Sequence, residues 1–132
     1  MKRLLYIFVG GFFGALLRHL FFEIPFLSHS QLMPLNTIVV NLIGCFLLSV
    51  VVHLAEKSVA LNDDMHAAII TGLLGAFTTF ATFSKNVGDM IHSSNFAGAG
   101  IYLTVSLLGG FICVYLGYIF SNKVYKNLKL KS

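Results

Sequence analysis

The 132-residue chain has no tryptophan, only two cysteines, and charged side chains at just 11% of its positions. Each shortage excludes something. A charge content that low, with 57% hydrophobic residues and a mean hydropathy of +0.85, does not furnish the water-facing surface of a soluble domain. The composition is that of an integral membrane protein. The acidic residues Glu23, Glu56, Asp63, Asp64 and Asp89 all fall at the ends of apolar stretches or between them. No span interior then holds a titratable carboxylate, which argues against a proton-coupled exporter of the small multidrug type, otherwise similar in length and span number. The same scarcity leaves no acid, base or activated nucleophile for an enzyme, and no Ser/His/Asp set, zinc signature or phosphate loop is present.

Cys45 and Cys113 both lie in apolar stretches without a second Cys or a His at metal-ligand spacing, so they read as small buried hydrophobes. His19, His29, His53, His66 and His92 are scattered near segment ends and build no metal site. Linkers and low-complexity runs are also lacking, and residues 1–132 are expected to form a single four-helix transmembrane domain. The first apolar stretch follows Met1-Lys2-Arg3 but lacks a small-residue cleavage site and carries Arg18 and Glu23 near its end. It reads as a retained helix.

What the chain does have is four stretches long enough for a bilayer core of about 30 Å, which needs roughly 20 apolar residues per helix. They are 4–22, 35–55, 66–92 and 96–120. Four crossings put both termini on the side of the second loop, which collects Lys2, Arg3, Lys57, Lys123, Lys126, Lys129 and Lys131. The opposite side has Lys85, plus Arg18 where it reaches the interface. Flanking lysines are a topology signal before they are a nucleic-acid signal, so the net charge of +4 predicts cytoplasmic termini in a multi-pass cell-membrane protein and no nucleic-acid partner.

Small residues are frequent in the spans, among them Gly10 and Gly14 in the first, Gly44 in the second and Gly72 and Gly75 in the third. They allow close helix packing where no hydrophobic effect drives association, within the subunit or in a dimer. The polar residues inside the spans are more selective. Asn41 sits mid-span with Thr37 one turn before it; the third span carries Thr71, Thr78, Thr79, Thr82 and Ser84, and the fourth Tyr102, Thr104 and Ser106. A lone hydroxyl can bond back to its own helix, whereas a membrane-buried amide needs a partner. The run Gly72–Ser84 interleaves glycines, hydroxyls and phenylalanines, a mixture without use to a lipid-facing helix. Amides, hydroxyls and the positive edges of Phe80 and Phe83, without fixed negative charge, suit an anion.

The set Gly10-Gly-x-x-Gly14-Ala-x-x-Arg18, Asn36-Thr-x-x-Val40-Asn41-x-x-Gly44 and Thr71-Gly-x-x-Gly75-x-x-Thr78-Thr-Phe-x-Thr-Phe-Ser84 resembles the Fluc (CrcB) fluoride channels in order and spacing across three spans. The resemblance implies an all-α membrane subunit of four transmembrane helices, the third broken at its centre near 75–79, paired antiparallel in a dual-topology-type dimer. It implies passive fluoride export through pores at the dimer interface. It also implies a structural Na⁺ at the dimer centre, on backbone carbonyls at Gly75 and Thr78. Carried over by motif, Asn41 is a hydrogen-bond donor to fluoride and Phe80 and Phe83 are paired ring edges. Thr37, Thr79 and Thr82 are nearby hydroxyls, Tyr102 and Ser106 belong to the polar track of the fourth span, and Arg18 raises the anion potential at a vestibule. The chain departs from the family at Ala81, at Asn86 in place of an acidic residue, and at Gly110 and Val114 on the polar track. With the lysine bias, these departures lead us to expect a heterodimer of paired, oppositely oriented subunits, the homodimer being the alternative. A non-conducting structural subunit would explain the glycines but not Asn41 with the Thr/Phe run.

Overall fold

The computed structural model describes residues 1–24, 34–57 and 62–129; His29 and Lys131 lie outside them. Helix α1 (Lys2–Phe22) is followed by α2 (Leu35–Lys57). The third span opens with α3 (Asp63–Ala67), widens into a π-helical segment (Ala68–Leu74), closes with the single turn α4 (Gly75–Phe77) and resumes as α5 (Phe80–His92). Helix α6 (Phe96–Lys129) completes the chain. Four helical stretches are long and apolar enough to cross a membrane: Lys2–Phe22, Leu35–Lys57, Asp63–His92 and Phe96–Asn127. The chain is a multi-pass membrane protein.

All four stretches run beyond the expected bounds, the first and second by two residues each, the third and fourth by more and for local reasons. The third begins at Asp63 because the Asn62 side chain caps it, accepting from the Met65 N–H at 2.8 Å, with Asp63 and Asp64 favouring the positive helix end. The fourth continues past residue 120, where the apolar pattern ends. Helix α6 has 34 residues, a length of about 51 Å at 1.5 Å per residue. Its last turns are held by the end of α2: Asn122 Oδ1 meets His53 Nε2 at 3.1 Å and accepts from Lys57 Nζ, while His53 packs edge-on to Tyr118. Lys57 also lies 5.3 Å over the Tyr125 ring.

The spans pair by parity. Gly10 of α1 approaches Ala68, Gly14 approaches Leu73, and Phe21 packs edge-on to Phe77 at 5.6 Å, so α1 runs parallel to the first half of the third span. Leu42 meets Gly109, Ser49 donates to the Val114 carbonyl at 2.7 Å and His53 meets Asn122, so α2 runs parallel to α6. The first pair needs its glycines: a Cβ on Gly14 would overlap the Leu73 carbonyl oxygen, and one on Gly72 would press on the Ile7 carbonyl. Backbone meets backbone there, the arrangement that replaces hydrophobic association in lipid. Outward faces stay apolar, as Leu4, Phe8 and Phe12 on α1 and Phe111 and Ile112 on α6 illustrate. A bilayer solvates such faces.

Candidate functional site

At the middle of the third span the backbone leaves helical geometry for two residues. Thr78 has φ −71°, ψ 154° and Thr79 has φ −141°, ψ 109°, both extended. The amides freed by such a step must find partners inside the protein. Asn41 of α2 provides them: its Oδ1 accepts from the Thr79 N–H at 2.8 Å and its Nδ2 donates to the Thr79 carbonyl at 3.2 Å. The side-chain amide thus pairs with a backbone amide in both directions. One Nδ2–H of Asn41 is left over.

The hydroxyls around this point are divided between structure and surplus. Thr78 Oγ1 donates back to the Leu74 carbonyl at 2.9 Å. Thr79 Oγ1 caps α5 by accepting from the Thr82 N–H at 3.1 Å, and it donates to Thr82 Oγ1 at 2.9 Å. Thr104 Oγ1 returns to the Gly100 carbonyl at 2.8 Å. Ser106 is different: its hydroxyl is buried and has no partner in the protein.

These residues border a groove of about 740 Å³ between α2, the interrupted third span and α6. Asn41, Thr79, Phe80, Phe83 and Ser106 line it, and so do Gly75 and Thr78. No lining residue is charged at neutral pH. Phe80 is 80% exposed, its ring 5.9 Å from that of Phe83 at an angle of 35°. Phe83 in turn stacks on Tyr102 at 5.3 Å.

Behind Phe83 lies a second polar cluster that motif reading did not assemble. Asn86 Nδ2 donates to Thr37 Oγ1 at 3.1 Å and to Tyr102 Oη at 3.3 Å. Thr37 and Tyr102 are buried, and neither borders the groove itself; the half-buried Thr82 does not border it either. Asn86 follows Phe83 by three residues on one face of α5, which was the available signal for its place. Arg18 is half-buried on α1 and does not line the groove. Ala81 is exposed on α5; Gly110 faces the Cys45 sulfur, and the Val114 carbonyl is taken by Ser49. Among the described residues no three His, Cys, Asp or Glu side chains gather at a metal-binding distance.

A family model described as CrcB-like protein, Camphor Resistance (CrcB), matches residues 5–118. A protein named fluoride-specific ion channel FluC 1 from Bacillus thuringiensis subsp. konkukian is 40% identical over 129 residues, 96% of this chain and 93% of its own length. Proteins named fluoride-specific ion channel FluC from Oceanobacillus iheyensis and Azobacteroides pseudotrichonymphae are 38% and 32% identical, over 89% and 90% of this chain and 89% and 95% of their own lengths. These relatives bear the name of a channel, not of an enzyme. With the family match running through all four spans and the relatives aligned nearly end to end, the chain belongs to the CrcB family.

Proposed function

We propose that the chain is a subunit of a passive fluoride channel and that the groove beside Asn41 is one wall of its ion path. The observation that carries this is the surplus of donors: the second Nδ2–H of Asn41 and the orphan Ser106 hydroxyl belong to residues that line a groove without a carboxylate, together with Phe80 and Phe83. Fluoride is small and strongly hydrated. A path for it must replace water with donors while holding the ion weakly enough to release it, and neutral donors with ring edges meet both demands. A negative cell interior drives the anion outward at roughly 2.3 kcal/mol per 100 mV, so conduction needs no coupled energy source.

The groove is open on one side, and in this reading a second, antiparallel subunit closes it. The interrupted third span supports a central Na⁺: Thr79 gives its N–H to Asn41, which relieves the Gly75 carbonyl of its helical donor, and the extended Thr78 turns its carbonyl away from the helix axis. Gly75 and Thr78 would hold the ion, which supplies fixed positive charge at the subunit contact. The lysine bias favours cytoplasmic termini and a fixed orientation, hence a partner subunit inserted the other way. Arg18, which lies on α1 away from the groove, would act at an entrance.

Fluoride efflux from liposomes is the test, with the chain alone and with a paired partner. Efflux in either case supports the channel, and full activity alone removes the need for a heterodimer. Phe80→Ile and Phe83→Ile are each expected to slow efflux about tenfold with assembled protein retained, the scale of losing one favourable contact along the path. Unchanged rates in both would take the rings out of the mechanism.

A further inference from the structure

We propose that the end of α2 and the facing turns of α6 form a headgroup site for an anionic phospholipid, with the ammonium groups of Lys57 and Lys126 as its phosphate ligands. The site is separate from the groove beside Asn41 and does not depend on which ion the protein conducts. Lys57 is the last residue of α2 and is exposed. Its Nζ donates to Asn122 Oδ1 and lies 5.3 Å over the Tyr125 ring. Both partners are neutral, so the ammonium is held in place with its charge intact. The neighbouring carboxylate, Glu56, is turned to His53 Nδ1 at 4.0 Å. Among the described residues Lys57 joins no ion pair, whereas Lys85 of α5 closes on Asp89 at 2.6 Å. Lys126, also exposed, follows Asn122 by four residues and so stands one turn further along the same face of α6.

The level of these residues along the two helices selects the occupant. The apolar stretches end at Ala55 on α2 and Phe120 on α6, which puts Lys57 and Lys126 just outside the hydrocarbon, in the headgroup layer. A lipid phosphate arrives there with acyl chains attached. Deeper in the bilayer the same two helices expose apolar side chains along which such chains can lie, Leu47 and Leu48 on α2 and Ile119 and Phe120 on α6. A free phosphate ion makes no use of that face. Charge points the same way: against Glu56 and the half-charge at the C-terminal end of α2, Lys57, Lys123 and Lys126 leave this corner net positive. Basic side chains at the edge of a span are attracted to anionic lipid, each by an amount worth about fivefold in affinity.

The test titrates palmitoyl-oleoyl phosphatidylglycerol into the full chain in a neutral detergent, with lipid retained on the assembled protein counted by native mass spectrometry. Phosphatidylcholine with the same acyl chains is the comparison. Phosphatidylglycerol is expected to half-saturate the protein at a concentration at least fivefold lower than phosphatidylcholine. Lys57→Gln and Lys126→Gln should each raise the phosphatidylglycerol midpoint about fivefold and leave that of phosphatidylcholine unchanged. Lys57→Arg, which keeps the charge, should bind as wild type. Lys123 lies about 100° round α6 from Asn122, and Lys123→Gln should change the midpoint less than twofold. Wild-type midpoints in both Lys57→Gln and Lys126→Gln overturn the proposal. Equal midpoints for the two lipids do so as well, and a fivefold loss in Lys123→Gln would mean a diffuse field in place of a site. Displacement of phosphatidylglycerol by inorganic phosphate at equal concentration would assign the lysines to the free ion and overturn the lipid. Where a glutamine variant does not assemble, wild type is titrated as ammonium acetate rises from 0.1 M to 1 M, which shortens the Debye length from about 10 Å to about 3 Å. A rise of at least fivefold in the phosphatidylglycerol midpoint alone supports the site, and an unchanged midpoint overturns it.

Discussion

The two halves of the third span are held in place by unlike forces. From Asp63 to Phe77 the chain buries Ala67, Gly72, Leu74 and Phe77, and it meets α1 through bare backbone at Gly10, Gly14 and Gly72. From Phe80 to His92 no residue is buried. This half is docked by polar bonds instead: Asn41 to Thr79 at its start, Asn86 to Thr37 and Tyr102 further on, with Phe83 stacked on Tyr102 between them. Lipid supplies no hydrophobic pressure between helices, so packing and hydrogen bonds are the two means available. Packing through glycine leaves nothing spare. Docking through amides and hydroxyls leaves donors over, the second Nδ2–H of Asn41 among them.

The sharpest way to break the contrast is to put volume into the packed half. Gly14→Val drives a Cβ and two methyl groups into the Leu73 carbonyl, where the obstacle is backbone and cannot rotate away. A loss of about 3 kcal/mol is expected, with the yield of monodisperse protein in detergent collapsing and efflux lost with it. Normal yield with normal efflux would mean that α1 and the third span separate more readily than their glycines indicate.

The docked half is broken more gently through Asn41. Asn41→Leu keeps the volume but leaves the Thr79 N–H and carbonyl unpaired in a position only 5% exposed, a penalty of about 2 kcal/mol. Protein should still assemble, with a lower melting temperature in detergent and efflux reduced at least tenfold. Wild-type melting would show that Asn41 serves the ion rather than the backbone.

Asn41 also marks where sequence reading stopped. Hydropathy located all four spans, because a bilayer demands unbroken apolar length whatever the packing. The resemblance grouped Asn41, Thr79, Phe80, Phe83 and Ser106, and all five border one groove. That Asn41 pairs with the Thr79 backbone is not a matter of period, since 38 residues separate the two and only the docked fold brings them together. Asn86 stood out in the sequence only as a departure, and its two acceptors come from two other helices. The long α6 escaped for the opposite reason: the contacts that prolong it, at Asn122 and Tyr125, begin where the apolar stretch ends.

The smallest perturbation separates the two kinds of region most cleanly, because it should move stability and function in opposite directions. Ser106 Oγ is buried without a partner, although the Thr104 hydroxyl on the same helix bonds back to its own backbone. An unsatisfied hydroxyl disfavours folding by about 1 kcal/mol, and alanine is also the better helix former, so Ser106→Ala should melt a few degrees higher than wild type. Efflux should fall about threefold, since Ser106 borders the groove assigned to the ion and its hydroxyl is a donor without a partner. A variant that melts lower instead would reveal that the hydroxyl is bonded within the fold, and Ser106 would then belong with Thr78 and Thr104 as a self-satisfied helix hydroxyl outside the ion path.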